Sequence, residues 1–285
     1  MNRLESGALY VVATPIGHLS DITLRALEVL KSVDCIAAED TRHTKKLLSF
    51  HGLSNSLLAF HEHNETRVAA ALLDRCEAGG SVALVSDAGT PLVSDPGQNV
   101  IEKAHERGVR VIPIPGCCAA LAALSVAGLP VERFVFEGFL PARPARRKKR
   151  LQSLSEETRV MIFYEAVHRM PQFLDELIAS LGGYRLACVA RELTKQFETI
   201  TRLPLVELKA YFGLHPDQLR GEFVVLVEGL KSSLEKEVAV VSSDVVLRCL
   251  LGEMSPSKAA AMAAKITGEK KNKLYAKAIQ MQSSS

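Results

Sequence analysis

Through the first 130 residues, short apolar runs alternate with stretches whose apolar positions recur every three or four residues. The runs at 8–13, 35–38, 57–60, 82–86 and 109–114 are too short for buried helices and predict strands. Between them, 22–33 places Leu24, Leu27 and Leu30 on one face, and 41–50, 67–76 and 100–107 repeat the helical spacing. Ser20 and Asp21 offer an N-cap to the first of these helices. Strand and helix in alternation are βα units, which build a parallel sheet because each helix carries the chain back to the end from which the next strand must start.

Gly128-Leu129-Pro130 breaks this rhythm. From Phe134 onward come β-rich runs at 159–164, 186–191, 198–203 and 222–227, with helical patterns near 167–182 and 204–213. Some of these strands follow one another too closely for a crossover helix, so the second sheet is expected to be mixed. Beyond residue 230 a charged, β-branched linker precedes helical patterns at 242–251, 257–266 and 269–280, in outline a helix-turn-helix. The expected architecture is two α/β domains, a parallel-sheet one at 1–130 and a mixed-sheet one at 131–230, plus a small helical C-terminal domain at 242–285.

With 47% hydrophobic and 24% charged residues the 285-residue chain is of ordinary globular make-up, which excludes a disordered, collagenous or coiled-coil protein. Its longest weakly polar stretch, 119–130, is short of the roughly 20 residues of a membrane span. The first residues lack a basic lead and a cleavage pattern, so a cytoplasmic location without a membrane partner is expected. Six scattered cysteines without CxxC spacing read as reduced thiols.

Charge changes the picture more. Residues 1–140 hold 12 basic and 16 acidic groups, 141–254 hold 17 and 15, and 255–285 hold 6 and 1. In the middle segment Arg143, Arg146, Arg147, Lys148, Lys149 and Arg150 form one run, and Lys258, Lys265, Lys270, Lys271 and Lys273 dominate the tail. A cationic run is commonly only a solvated face, but two of them on a mildly acidic body favour a polyanionic partner. Aromatics at 5%, with no Trp, do not suggest a platform for long single strands.

In a parallel sheet, ligands bind beyond the carboxyl ends of the strands. Three loops there stand out: TPIGHLSD at 14–21, SDAGTPLVSDPG at 86–97, and PGCCAA at 115–120, which opens a helix of small residues. The second is too long and too rich in Gly, Pro, Asp, Ser and Thr for a plain connection. In the third, small side chains let a ligand approach backbone amides, and a helix start could activate Cys117 or Cys118 as a nucleophile. Neither GxGxxG after the first strand nor a P-loop is present. His61-Glu62-His63 resembles a metal pair but would alternate across a strand, and no metal is expected.

Together with FEGFLPARPARRKKRLQSL at 136–154, FYEAVHR at 163–169, ARELTKQFE at 190–198, GEFVVLVEG at 221–229 and SKAAAMAAKITGEKKNKLY at 257–275, these loops resemble the tetrapyrrole (corrin and porphyrin) methylase superfamily. Within it they are similar to the branch that 2′-O-methylates a decoding-region cytidine of bacterial 16S ribosomal RNA. Cys117-Cys118 stand where that family usually has Pro-Ser. The resemblance implies S-adenosylmethionine as cofactor, 16S rRNA or the small ribosomal subunit as partner, and a homodimer. It places the cofactor on Thr14, Pro15, Ile16, Gly17, Asp87, Ala88, Gly89, Thr90, Gly116, Cys117, Cys118, Phe163 and Tyr164. For the acceptor side the candidates are Glu39, Asp40, Arg42, Glu165, His168, Arg191 and Lys195, with Glu192 beside them. The two cationic groups are the candidate RNA contacts. Methylation of a tetrapyrrole precursor, or S-adenosylmethionine sensing by a non-enzymatic RNA-binding factor, are the alternatives.

Overall fold

The computed structural model describes residues 4–61, 64–230, 243–267 and 269–283, and the chain divides at Leu230 into two compact units. The first unit opens with β1 (Ala8–Val12), α1 (Leu24–Ser32), β2 (Cys35–Ala38), α2 (Thr41–Phe50), β3 (Leu57–Ala59), α3 (Glu65–Glu77), β4 (Val82–Val85), α4 (Gln98–Glu106) and β5 (Arg110–Ile114). The five strands pair in parallel in the order β3-β2-β4-β1-β5. Helices on both faces leave β2 and β4 buried along their whole length, which is why they read as unbroken apolar runs. The order places the loops after β4, β1 and β5 side by side at one end of the sheet.

One local expectation fails. The N-cap of α1 is Thr23, whose hydroxyl accepts from the Ala26 amide at 3.1 Å, while the amide of Asp21 donates to His18 O in the preceding turn. The helix starts two residues later than Ser20 and Asp21 suggested, because those residues are used to turn the chain.

After α5 (Ala119–Val126) come β6 (Phe134–Phe139), α6 (Pro144–Ser153), β7 (Val160–Ala166), α7 (Met170–Leu181), β8 (Leu186–Arg191), β9 (Thr199–Pro204), α8 (Leu205–Leu214) and β10 (Glu222–Val227). The second sheet has the order β6-β7-β10-β8-β9, with β6 parallel to β7 and the remaining pairs antiparallel, a mixed sheet as expected. One face is covered by α6, α7 and α8 through Leu151, Phe173, Leu177, Leu208 and Phe212. On the other, Ala120, Ala123, Leu124 and Ala127 from α5 and its end lie against Ile162, Cys188, Val224 and Leu226. Thus α5, which follows the first sheet in sequence, buries its small residues on the second and joins the two across residue 130.

In the second unit α9 (Ser243–Leu251), α10 (Pro256–Thr267) and α11 (Lys271–Ser283) surround a core of Leu247, Ala259, Ala260, Ala263, Leu274 and Ala278. Pro256 opens α10, where its missing N–H costs nothing. The linker at 231–242 lies outside the described residues. No helix among the described residues is long and apolar enough to cross a membrane.

Candidate functional site: a cleft between the two sheets

The loops after β1, β4 and β5 are fastened to one another through their backbones. Thr14 and Gly89 exchange N–H···O bonds of 2.8 and 3.0 Å, and the Thr14 hydroxyl donates to Ser86 O at 3.1 Å. The Thr90 hydroxyl donates to Cys117 O at 2.9 Å, and the Cys117 thiol donates to Asp21 O at 2.8 Å. A Cβ on Gly116 would stand 2.9 Å from that of Ala13, so only glycine lets the third loop sit this close to β1. In the 86–97 loop Leu92 and Ser94 adopt φ of 75° and 72°, a conformation that costs side-chain-bearing residues of order 1 kcal/mol or more and is found mainly where function requires it.

Facing this wall is the end of the second sheet, and between them lies a cleft of about 400 Å³, within the size range of small-molecule sites. Ile16, Ala88, Gly89, Thr90, Asp95 and Cys118 line one side. Phe139, Tyr164, Glu165, Leu193, Glu222 and Phe223 line the other. The Tyr164 hydroxyl accepts from the Ala120 amide at 3.1 Å, a bond that ties the walls together, and burial pushes its pKa up to about 12. Burial also raises Asp95 to about 6, opposed by a hydrogen bond from Ser86 and reinforced by the charges of Glu39 and Asp87. The Glu165 carboxyl is lifted above the usual range by burial; its Oε1 accepts from the Ala166 amide at 2.8 Å and lies 3.1 Å from the Arg169 guanidinium.

Of the residues expected to hold a cofactor, Ile16, Ala88, Gly89, Thr90, Cys118 and Tyr164 line the cleft. Thr14 is buried as a fastener, Pro15 lies beside it off the lining, and Gly116 serves backbone packing. Gly17 abuts the 192–195 loop, where its absent Cβ would lie 2.6 Å from Lys195 Cγ. Phe163 is a correction: successive strand residues face opposite sides, so Tyr164 faces the cleft while Phe163 is buried under α7 against Phe173 at 5.6 Å. Asp87 is another. Its carboxylate turns from the cleft to accept from the Asp40 amide at 2.9 Å and to meet His43 at 3.2 Å. Burial raises the Cys117 thiol above its ordinary pKa, the opposite of the lowering that activation at a helix start requires.

The acceptor-side candidates scatter. Glu39, Asp40 and Arg42 gather around Asp87, off the cleft lining; Asp40 caps α2 and chelates Arg42, which holds its carboxyl far below the usual range. Arg191 is buried, donating to Arg220 O at 2.8 Å and Phe197 O at 3.1 Å, and is a structural brace. Lys195 bridges Glu192 and Glu222, both at 2.9 Å. His168 lies exposed in the turn after β7. Only Glu165 of this group lines the cleft. The cationic run is also divided: Arg147 is buried and grips Glu176 through two bonds of 2.5 and 2.8 Å, and Arg150 is paired with Glu137 at 2.7 Å twice. Arg143, Arg146, Lys148 and Lys149 are exposed, as are Lys258, Lys265, Lys270, Lys271 and Lys273 in the second unit.

Asp95 and Phe139 line the cleft without having been singled out. Asp95 stood in the polar loop, but nothing in its spacing ranked it above Asp87. Of the His61-Glu62-His63 motif, His61 follows β3 rather than lying within it, and residues 62 and 63 fall outside the described residues. Among the described residues, Asp40, His43 and Asp87 bring ligand atoms within 4.8 Å of one another, but His43 and Asp87 are open to solvent and Arg42 already neutralises the half-buried Asp40.

Two sheets clasping an apolar cleft, with glycine-rich loops on one wall, define a methylase fold of a particular kind: the chain belongs to the tetrapyrrole (corrin/porphyrin) methylase family, whose pattern matches residues 8–209. Residues 239–282 match the RsmI C-terminal HTH domain. The chain is 50% identical over 282 residues to the ribosomal RNA small subunit methyltransferase I of Pseudomonas aeruginosa, covering 99% of this chain and all of that one. The fold is shared with a cobalamin biosynthetic enzyme, cobalt precorrin-4 methyltransferase, at a TM-score of 0.61 and 17% identity over 78% of this chain and 95% of that one. It is shared too with uroporphyrin-III C-methyl transferase from Thermus thermophilus complexed with S-adenyl homocysteine, at 0.55 and 18% over 78% and 97%.

Proposed function

We propose that this protein transfers a methyl group from S-adenosylmethionine to the ribose 2′-hydroxyl of a cytidine in the RNA of the small ribosomal subunit. The observation that carries the reading is the end-to-end identity of one half with a protein named for small-subunit ribosomal RNA methylation, which spans both the cleft and the helical unit. The residues present suit the cofactor: Gly89 and the start of α5 offer backbone at close range, the walls are largely apolar, and carboxyls rather than cations stand beside the space for a cationic ligand. When bound, S-adenosylmethionine supplies an already activated methyl group. The protein's task is therefore to align the acceptor oxygen, keep water out and remove a proton.

Asp95 is suited to the last of these. With a pKa near 6 it is ionised at neutral pH yet basic enough to draw a proton from a hydroxyl during attack. The exposed cations of α6 and, in its own unit, those of α10 and α11 suit a phosphate backbone and not a small tetrapyrrole. The reading includes a cytoplasmic location, where such RNA resides, and a homodimer. The unpaired edge of β5, flanked by Leu24 at 80% exposure, is a surface a second copy would cover, and light scattering would show the doubled mass. Incubation with tritiated S-adenosylmethionine and unmethylated small subunits should label RNA on a ribose. No label in either naked RNA or subunits contradicts the reading.

A further inference from the structure

The geometry points to Phe139 as the platform on which the unpaired base of the acceptor nucleotide stacks, an inference that rests on the RNA methylation reading above. Along a regular strand, residues 136 and 139 face opposite sides of the sheet. In β6 they do not, because the register against β7 shifts between Phe136 and Gly138: Phe136 pairs with Ile162, Gly138 with Phe163 and Phe139 with Tyr164. One extra residue, Glu137, is spent in a bulge, and everything after it changes face. Without the bulge Phe139 would stand opposite Glu165, whose buried carboxyl turns from the cleft to Arg169 and lies near Arg147 of α6, and the ring would face the helices. With it, Phe139 lines the cleft beside Tyr164.

The ring is exposed yet firmly placed. Phe139 is 55% exposed, and its centroid lies 5.5 Å from that of Tyr164, edge to face at 65°. Tyr164 is itself pinned by the Ala120 amide and also meets Phe136 edge to face at 5.1 Å. Gly138, at φ +60° and with room for a Cβ only 3.0 Å from Ser94 Oγ, lets the strained loop press against the bulge. An exposed aromatic ring on the wall of a cleft presents an apolar face on which a base can stack.

What covers it is indicated by the neighbouring charge. Glu137, the residue released by the bulge, chelates Arg150 of α6, so the same irregularity that aims Phe139 also anchors the cationic helix. That helix begins five residues after Phe139 and exposes Arg143, Arg146, Lys148 and Lys149. An aromatic face beside free cations matches a nucleotide: base on ring, flanking phosphates on the helix. A ribose can enter the cleft only when its base has left the helical stack, and a single ring is enough to receive one base.

The test compares Phe139→Ala, Phe139→Leu and Phe139→Tyr in the full chain, using unmethylated small ribosomal subunits and, separately, S-adenosylhomocysteine binding by calorimetry. Alanine and leucine should both lower kcat/KM for the subunits by about ten- to a hundredfold, the worth of one base–aromatic stack. Tyrosine should stay within about threefold of wild type, and all three should bind S-adenosylhomocysteine as wild type does. The proposal is overturned if leucine is as active as phenylalanine, if the loss is matched by weaker S-adenosylhomocysteine binding, or if alanine changes the oligomeric mass. Failure of the wild-type protein to label any RNA would instead overturn the reading on which it rests.

Discussion

The wall contributed by the first sheet is made of backbone: Gly89 is held by paired main-chain bonds to Thr14, the Thr90 hydroxyl is tied to the Cys117 carbonyl, and Asp95 is the carboxyl that reaches inward. The opposite wall is made of side chains standing on strands, Phe139, Tyr164 and Val224, whose direction depends on pairing register. A backbone wall depends on glycines and strained turns, so it fails when a Cβ is added. A side-chain wall depends on parity, so it fails when a register shifts or a ring is removed.

Substitutions should separate the two walls. The largest effect is expected at Asp95. Asp95→Asn should lower methyl transfer by about a hundredfold or more if the carboxyl is the proton acceptor, and wild-type transfer should decline as the pH drops below about 6, where Asp95 becomes protonated. Because the folded state raises this pKa above 3.8, the stability associated with its protonated form is lost as the pH rises through about 6. An uncharged Asn therefore stabilises the protein at pH 8, by on the order of 1 kcal/mol, with roughly half that gain at pH 5 and almost none at pH 3, which thermal melts across this range would show. Loss of stability instead would mean that Asp95 holds the loop together.

Next in size is Arg147→Ala. Removing one partner of a largely buried pair strands Glu176 and should cost about 2–4 kcal/mol in denaturant titration. At the facing wall, Gly138→Ala forces a positive φ on a residue with a Cβ and crowds Ser94; a loss of about 1–2 kcal/mol, together with reduced transfer, is expected. The smallest effect belongs to Arg146→Ala, which should leave the melting temperature unchanged, weaken RNA binding modestly and reduce the salt dependence of binding by about one phosphate contact. Equal behaviour of Arg146 and Arg147 would erase the division drawn within the cationic run.

That division also marks how far the sequence could be read. The parallel sheet was legible because β2 and β4 are continuous apolar runs, and the three loops were legible because they hold more Gly, Pro and Asp than a connection needs. β6 and α6 were not foreseen: a bulge breaks the alternation of one, and in the other an inward face made of Arg147 and Leu151 looks polar. Charge alone could not show that Arg147 turns inward, since its partner Glu176 lies 29 residues away. Likewise Asp87 and Asp95 are equivalent in composition, and only the fold turns one to Asp40 and His43 and the other into the cleft.

The most direct test of the account is the nucleoside content of small-subunit RNA from cells lacking this chain, re-supplied with either the wild-type or the Asp95→Asn form and measured by mass spectrometry. The account predicts that ribose-methylated cytidine disappears on deletion, returns with the wild-type chain and does not return with Asp95→Asn. Unchanged ribose-methylated cytidine in the deleted cells would contradict it.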